Sequence, residues 1–238
     1  MVREWLRSLA RPVYFWLFRL RGYPGVEYHR GKIVEIVHEY DRVFSYRISR
    51  PEGLNYHAGQ YLHLVAPGGY INPQDVRHMS FASAPDESDL LFTMDLASDT
   101  RFKRRFAAAN IGDQVGLYTV RGQFTLGSLP TDTSVLFIAG GVGITPIRSL
   151  IRSQPGQRWA LIYAGRGYCY AREWEHDSRG ARIELVDRHE LFAVLDTVVD
   201  DFAFFYLCGS ARFLDAVVGH LIARDVDKNR IRTENFSE

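Results

Sequence analysis

The residues best placed to do chemistry lie in Val135-Leu-Phe-Ile-Ala-Gly-Gly-Val-Gly-Ile-Thr-Pro-Ile-Arg-Ser149, where an apolar run breaks into glycines and restarts with helical periodicity. Val135 to Ala139 is continuously apolar and short, which predicts a buried parallel strand. Gly140, Gly141 and Gly143 let the backbone turn sharply and let a ligand approach the main chain. Thr145 and Pro146 then offer an N-cap hydroxyl and a residue suited to the first helical position. Such a helix start aims unpaired N-H groups and a partial positive charge at an anion, for example a dinucleotide pyrophosphate. The third glycine of the usual Gly-x-Gly-x-x-Gly pattern is replaced by Pro146, so on these residues alone a plain tight turn also fits. Two further stretches hold reactive types. Arg77-His78-Met79-Ser80 combines a guanidinium fork suited to phosphate with a hydroxyl that donates or accepts. Cys208-Gly-Ser210 follows the apolar run Phe202 to Leu207. Read singly, these are an ion-paired Arg, a small strand Ser and a buried Cys.

Composition narrows the classes. A chain of 238 residues holds one large domain or two of roughly 100 residues. A net charge of +1 gives no reason to expect a nucleic-acid partner, and 46% hydrophobic residues suffice for a core. The two cysteines, Cys169 and Cys208, form neither a disulfide framework nor a metal-ligand cluster, and a plant-type two-iron centre would need four. The histidines show no ligand spacing, so no metal is assigned. This cysteine usage leads us to expect a cytoplasmic protein. Charge is uneven: residues 1 to 32 carry a net +5 and the remainder −4. Within that basic segment Trp5, Leu6, Leu9, Val13, Trp16, Leu17 and Leu20 recur at helical spacing, predicting an amphipathic helix over residues 3–20 kinked at Pro12. Its apolar run Val13 to Phe18 is far too short to span a bilayer, and the absence of a small-residue cleavage site argues against a signal peptide. The helix packs on the protein body or lies peripherally on an anionic membrane or a membrane-bound partner.

The elements that must position these residues fall into two textures. From Gly31 to about Leu126, β-rich segments at 32–40, 43–49, 60–66, 78–83, 90–96 and 114–120 are separated by turn signals, predicting a small six-stranded antiparallel barrel with one helical patch at 100–109. After Pro130, strands at Val135, Trp159, Arg182, Phe202 and Arg230 alternate with helical stretches, predicting a parallel sheet covered by helices. Ligands bind such sheets beyond the carboxyl ends of the strands, where the glycine turn sits. The expected division is an N-terminal helix at 1–27, a β-barrel domain at 28–128 and an α/β domain at 129–238.

A barrel followed by a dinucleotide domain resembles the ferredoxin-NADP reductase family, and four motifs agree in order: Ala58-Gly-Gln-Tyr61, Arg77-His-Met-Ser80, Gly141-Val-Gly-Ile-Thr-Pro146, and Leu207-Cys-Gly-Ser210 with the terminal Glu234-Asn-Phe236. The resemblance spans about residues 28 to 236. It implies FAD in the barrel domain, NAD(P) in the α/β domain, and hydride transfer from nicotinamide C4 to flavin N5. By resemblance Arg77 grips the flavin pyrophosphate, Ser80 meets N5, and His78, Met79 and Leu96 join the flavin site. Thr100, Arg101 and Phe102, at a helix start, hold flavin phosphate. Cys208 and Gly209 lie by the nicotinamide, Glu234 is the terminal acid and Phe236 an aromatic at the flavin edge. Ser80, Cys208 and Glu234 are thus the implied catalytic set. The family usually has an aromatic where this chain has Met79, a thioether worth about 0.3 to 1.5 kcal/mol against a ring.

Arg166, Arg172, Arg179 and Arg188 follow the second and third strands of the second domain, and no acid closes the second strand, which leans toward NADP over NAD. With no cluster in the chain, the resemblance implies an external one-electron carrier such as ferredoxin, flavodoxin or a membrane redox partner. Two alternatives stand: a non-catalytic flavin- or nucleotide-binding regulatory subunit, which Met79 keeps open, and an NADH-dependent reductase component of an oxygenase.

Overall fold

The computed structural model describes residues 27–127, 129–130, 132–153, 158–176 and 182–236; the helix expected over residues 3–20 and Arg179 lie outside them. The first module contains β1 (Tyr28–Tyr40), β2 (Val43–Ser49), β3 (Tyr61–Val65), β4 (Val76–Ser80), β5 (Asp89–Asp95), α1 (Arg101–Ala107) and β6 (Gln114–Arg121). All its pairings are antiparallel, in the order β4-β3-β6-β1-β2-β5. The two end strands approach each other: just past β4, the Ala82 N-H donates to the Leu91 carbonyl of β5 at 2.8 Å. Alternation explains why β2 and β5 are buried on both faces. Tyr46, Ile48, Leu90, Phe92 and Met94 point into the core of this module. Val43 and Leu91 point the other way, into a core shared with the second module. Helix α1 closes one end with Phe102 and Phe106, four residues apart and both 1% exposed.

The second module runs β7 (Val135–Gly140), a 3₁₀ turn (Gly141–Gly143), α2 (Ile144–Arg152), β8 (Trp159–Ala164), α3 (Ala171–His176), β9 (Arg182–Val186), α4 (Leu191–Asp196), β10 (Phe204–Gly209), α5 (Ala211–Ala223) and β11 (Ile231–Asn235). Its strands are parallel, in the order β11-β10-β7-β8-β9. Along β7, Val135, Phe137 and Ala139 face the core shared with the first module, while Leu136 and Ile138 face α4 and α5. Continuous apolarity therefore means burial on both faces.

Two expected strands shift. β4 runs from Val76 to Ser80 rather than through Ser83: the Phe81 amide still reaches the Gln60 carbonyl at 3.1 Å while its ring stacks on Tyr56, centroids 3.7 Å apart, but the Ala82 amide turns to the Leu91 carbonyl of β5. β10 starts at Phe204 because Arg230 takes the Phe202 and Ala203 carbonyls at 2.5 and 2.7 Å.

A buried carboxylate ties α1 to the loop before β4. Asp75 is fully buried, and Arg101 grips it bidentately, Nε and Nη2 each at 2.8 Å, with Arg105 Nε at 3.1 Å. Burial alone would raise its pKa; hydrogen bonds from Asn72 and the Tyr70 amide, with the two arginines, outweigh that and hold it below the ordinary carboxylate value. The contribution is thus full above the unfolded value, about 3.9, and is lost as pH falls through the lower folded value. Asp75→Asn should lower stability at pH 7 by about 1–3 kcal/mol, since both arginines are partly solvated. The mutant should also lose that acid-dependent component, which urea melts at pH 7 and in the acid limb would reveal.

Candidate functional site

The glycine turn is tighter than the sequence suggests. Thr145 does not cap α2: the 3₁₀ turn runs directly into the helix, Gly143 occupies the cap position, and Thr145 Oγ1 donates back to the Val142 carbonyl at 3.0 Å. Pro146 is therefore the third helical residue, still within the first turn, where its missing N-H costs no helical bond. Gly141 and Gly143 are required for different reasons. Gly141 has φ +56 and open space where a Cβ would stand. At Gly143 a Cβ would lie 2.2 Å from the Cys208 carbonyl oxygen.

A cavity of about 570 Å³ lies between the modules. One wall is the end of β4, with Arg77, His78, Met79 and Ser80; another is Thr93, Met94 and Asp95 of β5. Phe102 and Lys103 of α1, Val142 and Thr145 of the glycine turn, and Glu234 to Phe236 complete it. Arg77 Nη1 donates to the Pro73 and Val76 carbonyls at 2.6 and 2.8 Å, fixing the guanidinium at the α1 end. Ser80 is buried and His78 exposed. Burial raises the Glu234 pKa above the ordinary carboxylate value.

A second cavity of about 560 Å³ opens beyond the carboxyl ends of β7 and β10. The glycine turn, Gly209, Ser210 and Phe213 line it, with exposed Arg188 and Arg212 at its rim. Ser210 caps α5, accepting from the Phe213 amide at 3.4 Å. The two cavities share Asp95, Val142 and Phe236.

Some sequence-picked residues sit elsewhere. Arg101 is committed to Asp75, and Leu96 is in the first module's core. Thr100 caps α1 by accepting from the Lys103 amide at 3.3 Å and stays out of the cavity wall. Arg166 is exposed and lines neither cavity. Cys208 is wholly buried behind the cavity, level with Glu234 in the ladder, and burial with that neighbouring acid pushes its thiol well above the usual range. It is a buried, protonated packing group rather than a nucleophile. Lys103, Thr93 and Arg212 went unnoticed in the sequence. For Lys103 a signal existed: Arg101 and Arg105 are one helical turn apart and share a face, which turns Lys103 away from it.

The donor set suits a flat heterocycle carrying phosphate. Met79, Met94, Phe102 and Phe236 supply apolar surface, Arg77 and Lys103 supply cationic donors, and the volume lies in the usual range for small-molecule sites.

No protein-family model matches the chain. Methane monooxygenase component C of Methylosinus trichosporium is 31% identical over 123 residues, 51% of this chain and 34% of that protein. The reductase component of propane 2-monooxygenase from Mycolicibacterium goodii is 28% identical over 226 residues, 79% of this chain and 61% of that one. A ferredoxin NADP+ reductase from Neisseria gonorrhoeae, solved with bound FAD and NADP, superposes with a TM-score of 0.70 at 20% identity over 87% of this chain and 98% of that one. The chain spans 34% to 61% of the length of the first curated relatives it matches. Its architecture is that of the ferredoxin-NADP reductase-like FAD- and NAD-binding reductases.

Proposed function

We propose that this chain, built on the ferredoxin-NADP reductase architecture, is a flavoprotein oxidoreductase holding FAD in the first cavity and a nicotinamide dinucleotide in the second. One observation carries the reading: the two cavities meet at Asp95, Val142 and Phe236, so ligands in each would present reactive rings to one another. When bound, the flavin would accept a hydride and give up electrons singly. The chain's own residues orient and exclude. Arg77 and Lys103 hold phosphate, while Met79 packs on the ring system. Ser80 offers a hydroxyl and Glu234 a carboxyl in the cavity, and Cys208 and Gly143 back the place where the second ligand enters. Gly141 lets that ligand's pyrophosphate approach the main chain.

The division at 28–128 and 129–238 follows from this assignment of one cofactor to each module. Arg188 and Arg212 at the rim of the second cavity support NADPH. The electron acceptor is an external one-electron carrier, a ferredoxin, a flavodoxin or an oxygenase component; the monooxygenase reductase components among the relatives favour the last. No described helix is long and apolar enough to cross a membrane, and residues 3–20 are the segment we assign to a membrane surface or an acidic carrier.

The test is an anaerobic titration of the purified chain with NADPH and separately NADH, followed in the flavin bands. Bleaching by NADPH at lower concentration is expected. A chain that stays colourless after incubation with FAD would sink the proposal and leave the regulatory-subunit reading. Met79→Tyr should tighten FAD by up to about tenfold, through ring stacking worth about 0.5–1.5 kcal/mol, as read by fluorescence on reconstitution.

A further inference from the structure

The β5 wall of the first cavity opens onto a line of hydroxyls. Thr93 lines the cavity, and its Oγ1 lies 2.6 Å from Ser45 Oγ, where the two residues face each other across the β2-β5 ladder. Ser45 Oγ donates to Glu39 Oε1 at 2.5 Å, and half-buried Glu39 sits at the end of β1. Tyr170 of the second module closes the set: its hydroxyl hydrogen-bonds to Thr93, and its amide donates to Glu39 Oε2 at 2.9 Å.

The direction of these bonds is fixed by chemistry. An ionised carboxylate only accepts, so Ser45 spends its single proton on Glu39. Thr93 must then donate to Ser45, and Tyr170 to Thr93. The Thr93 and Ser45 hydroxyl protons thus point from the cavity side toward the carboxylate, while that of Tyr170 points at Thr93. Ser45 and Thr93 are 1% and 3% exposed, positions that apolar residues would fill at no desolvation cost. Arg148 stands 5.1 Å from the Tyr170 ring and is the charged group packed on that side.

We propose that Thr93, Ser45 and Glu39 form a proton exit from the first cavity to solvent, separate from Ser80 and Glu234. A proton leaving a bound group joins Thr93 Oγ1 as the Thr93 hydroxyl proton moves to Ser45. The Ser45 proton moves to Glu39, and the resulting carboxyl loses it to water. Each hydroxyl breaks one O-H bond and forms another, and no electrons leave the chain. Thr93 and Ser45 are relay residues, and Tyr170 positions Thr93. The proposal rests on the flavin reading above.

The full chain loaded with FAD is photoreduced without oxygen, then mixed with ferricyanide in weak buffer containing a pH-indicator dye. Flavin absorbance and proton appearance are followed together. In the wild type the two signals should coincide. In Thr93→Val and Glu39→Gln proton appearance should lag flavin oxidation by about tenfold or more, and Thr93→Ser should restore coincidence. Ser45→Ala serves as a second break in the line, and apoprotein melts establish that each variant folds. If the hydroxyls serve only as glue between the modules, the variants melt earlier while the signals still coincide, which overturns the relay and leaves the flavin reading intact. A folded chain that takes up no flavin overturns that underlying reading instead.

Discussion

Arg148→Met should destabilise the protein by about 3–5 kcal/mol and loosen the junction between its modules. Arg148 leaves α2 just after the glycine turn and is only 3% exposed. Its guanidinium reaches into both modules: Nε and Nη2 grip Glu173 of α3 at 2.9 and 2.8 Å, while Nη1 donates to Glu87 at 2.9 Å and to the Ala82 carbonyl at 2.7 Å. Next to it, Ser149 Oγ donates to the Ser83 carbonyl at 2.6 Å. A methionine fills much of the volume but leaves Glu173 without this cation, Glu87 with only the more distant Arg47 and Arg152 at 3.8 Å, and the Ala82 carbonyl without its donor. The loss is that of a broken buried pair, larger than any exposed ion pair could give. Urea unfolding should move from one transition to two as the modules come apart, and Glu173→Gln combined with Arg148→Met should recover part of the loss by removing the carboxylate that lost its bidentate partner. A single unshifted transition in Arg148→Met would mean that the shared apolar core alone fixes the two modules.

How much of this could be read from the residues depends on the range of the interaction. The two-module order was legible because strand texture and strand-helix alternation are local patterns, and the fully apolar Val135 to Ala139 reads as a doubly covered strand wherever it occurs. The glycine turn was legible for the same reason, although Thr145 misled: the cap preference is real, but a 3₁₀ turn tight enough to pass Cys208 starts the helix two residues sooner. Arg101 misled because a cation at a helix start suits a phosphate and a buried carboxylate equally, and the carboxylate, Asp75, is 26 residues away. Arg148 and Thr93 were invisible on the same ground. Their partners lie 61 and 48 residues off in sequence, brought together by the register of β2 on β5 and by the docking of α2 on the first module. Apolar periodicity reports which face is covered and is silent about which buried polar groups face each other across an interface.

On the proposed assignment of one cofactor to each cavity, Gly143→Ala should abolish tight nucleotide binding while FAD remains bound. The position is ordinary in its backbone angles, φ −61 and ψ −10, so the requirement for glycine is purely one of space. An added Cβ would stand 2.2 Å from the Cys208 carbonyl oxygen and 2.7 Å from the Gly209 nitrogen, backbone atoms of β10 that cannot swing aside as a side chain would. Relief requires the glycine turn and β10 to separate by on the order of 1 Å, and a misplacement of that size costs about 100-fold in a positioned reaction. The strain of such overpacking falls toward the upper end of about 1–3 kcal/mol. Gly141→Ala is the informative partner, because its Cβ would meet nothing within 4 Å and the cost is the left-handed φ of +56, roughly 1–2 kcal/mol. If space is what matters at Gly143, calorimetric titration with NADP+ should show affinity lost in Gly143→Ala, with the flavin spectrum retained in both variants. In Gly141→Ala, removal of an open approach to the main chain should weaken the nucleotide without moving β10, so hydrogen exchange in Phe204–Gly209 should rise in the first variant alone. Equal exchange in both would place the two glycines in one conformational role and refute the steric account of Gly143.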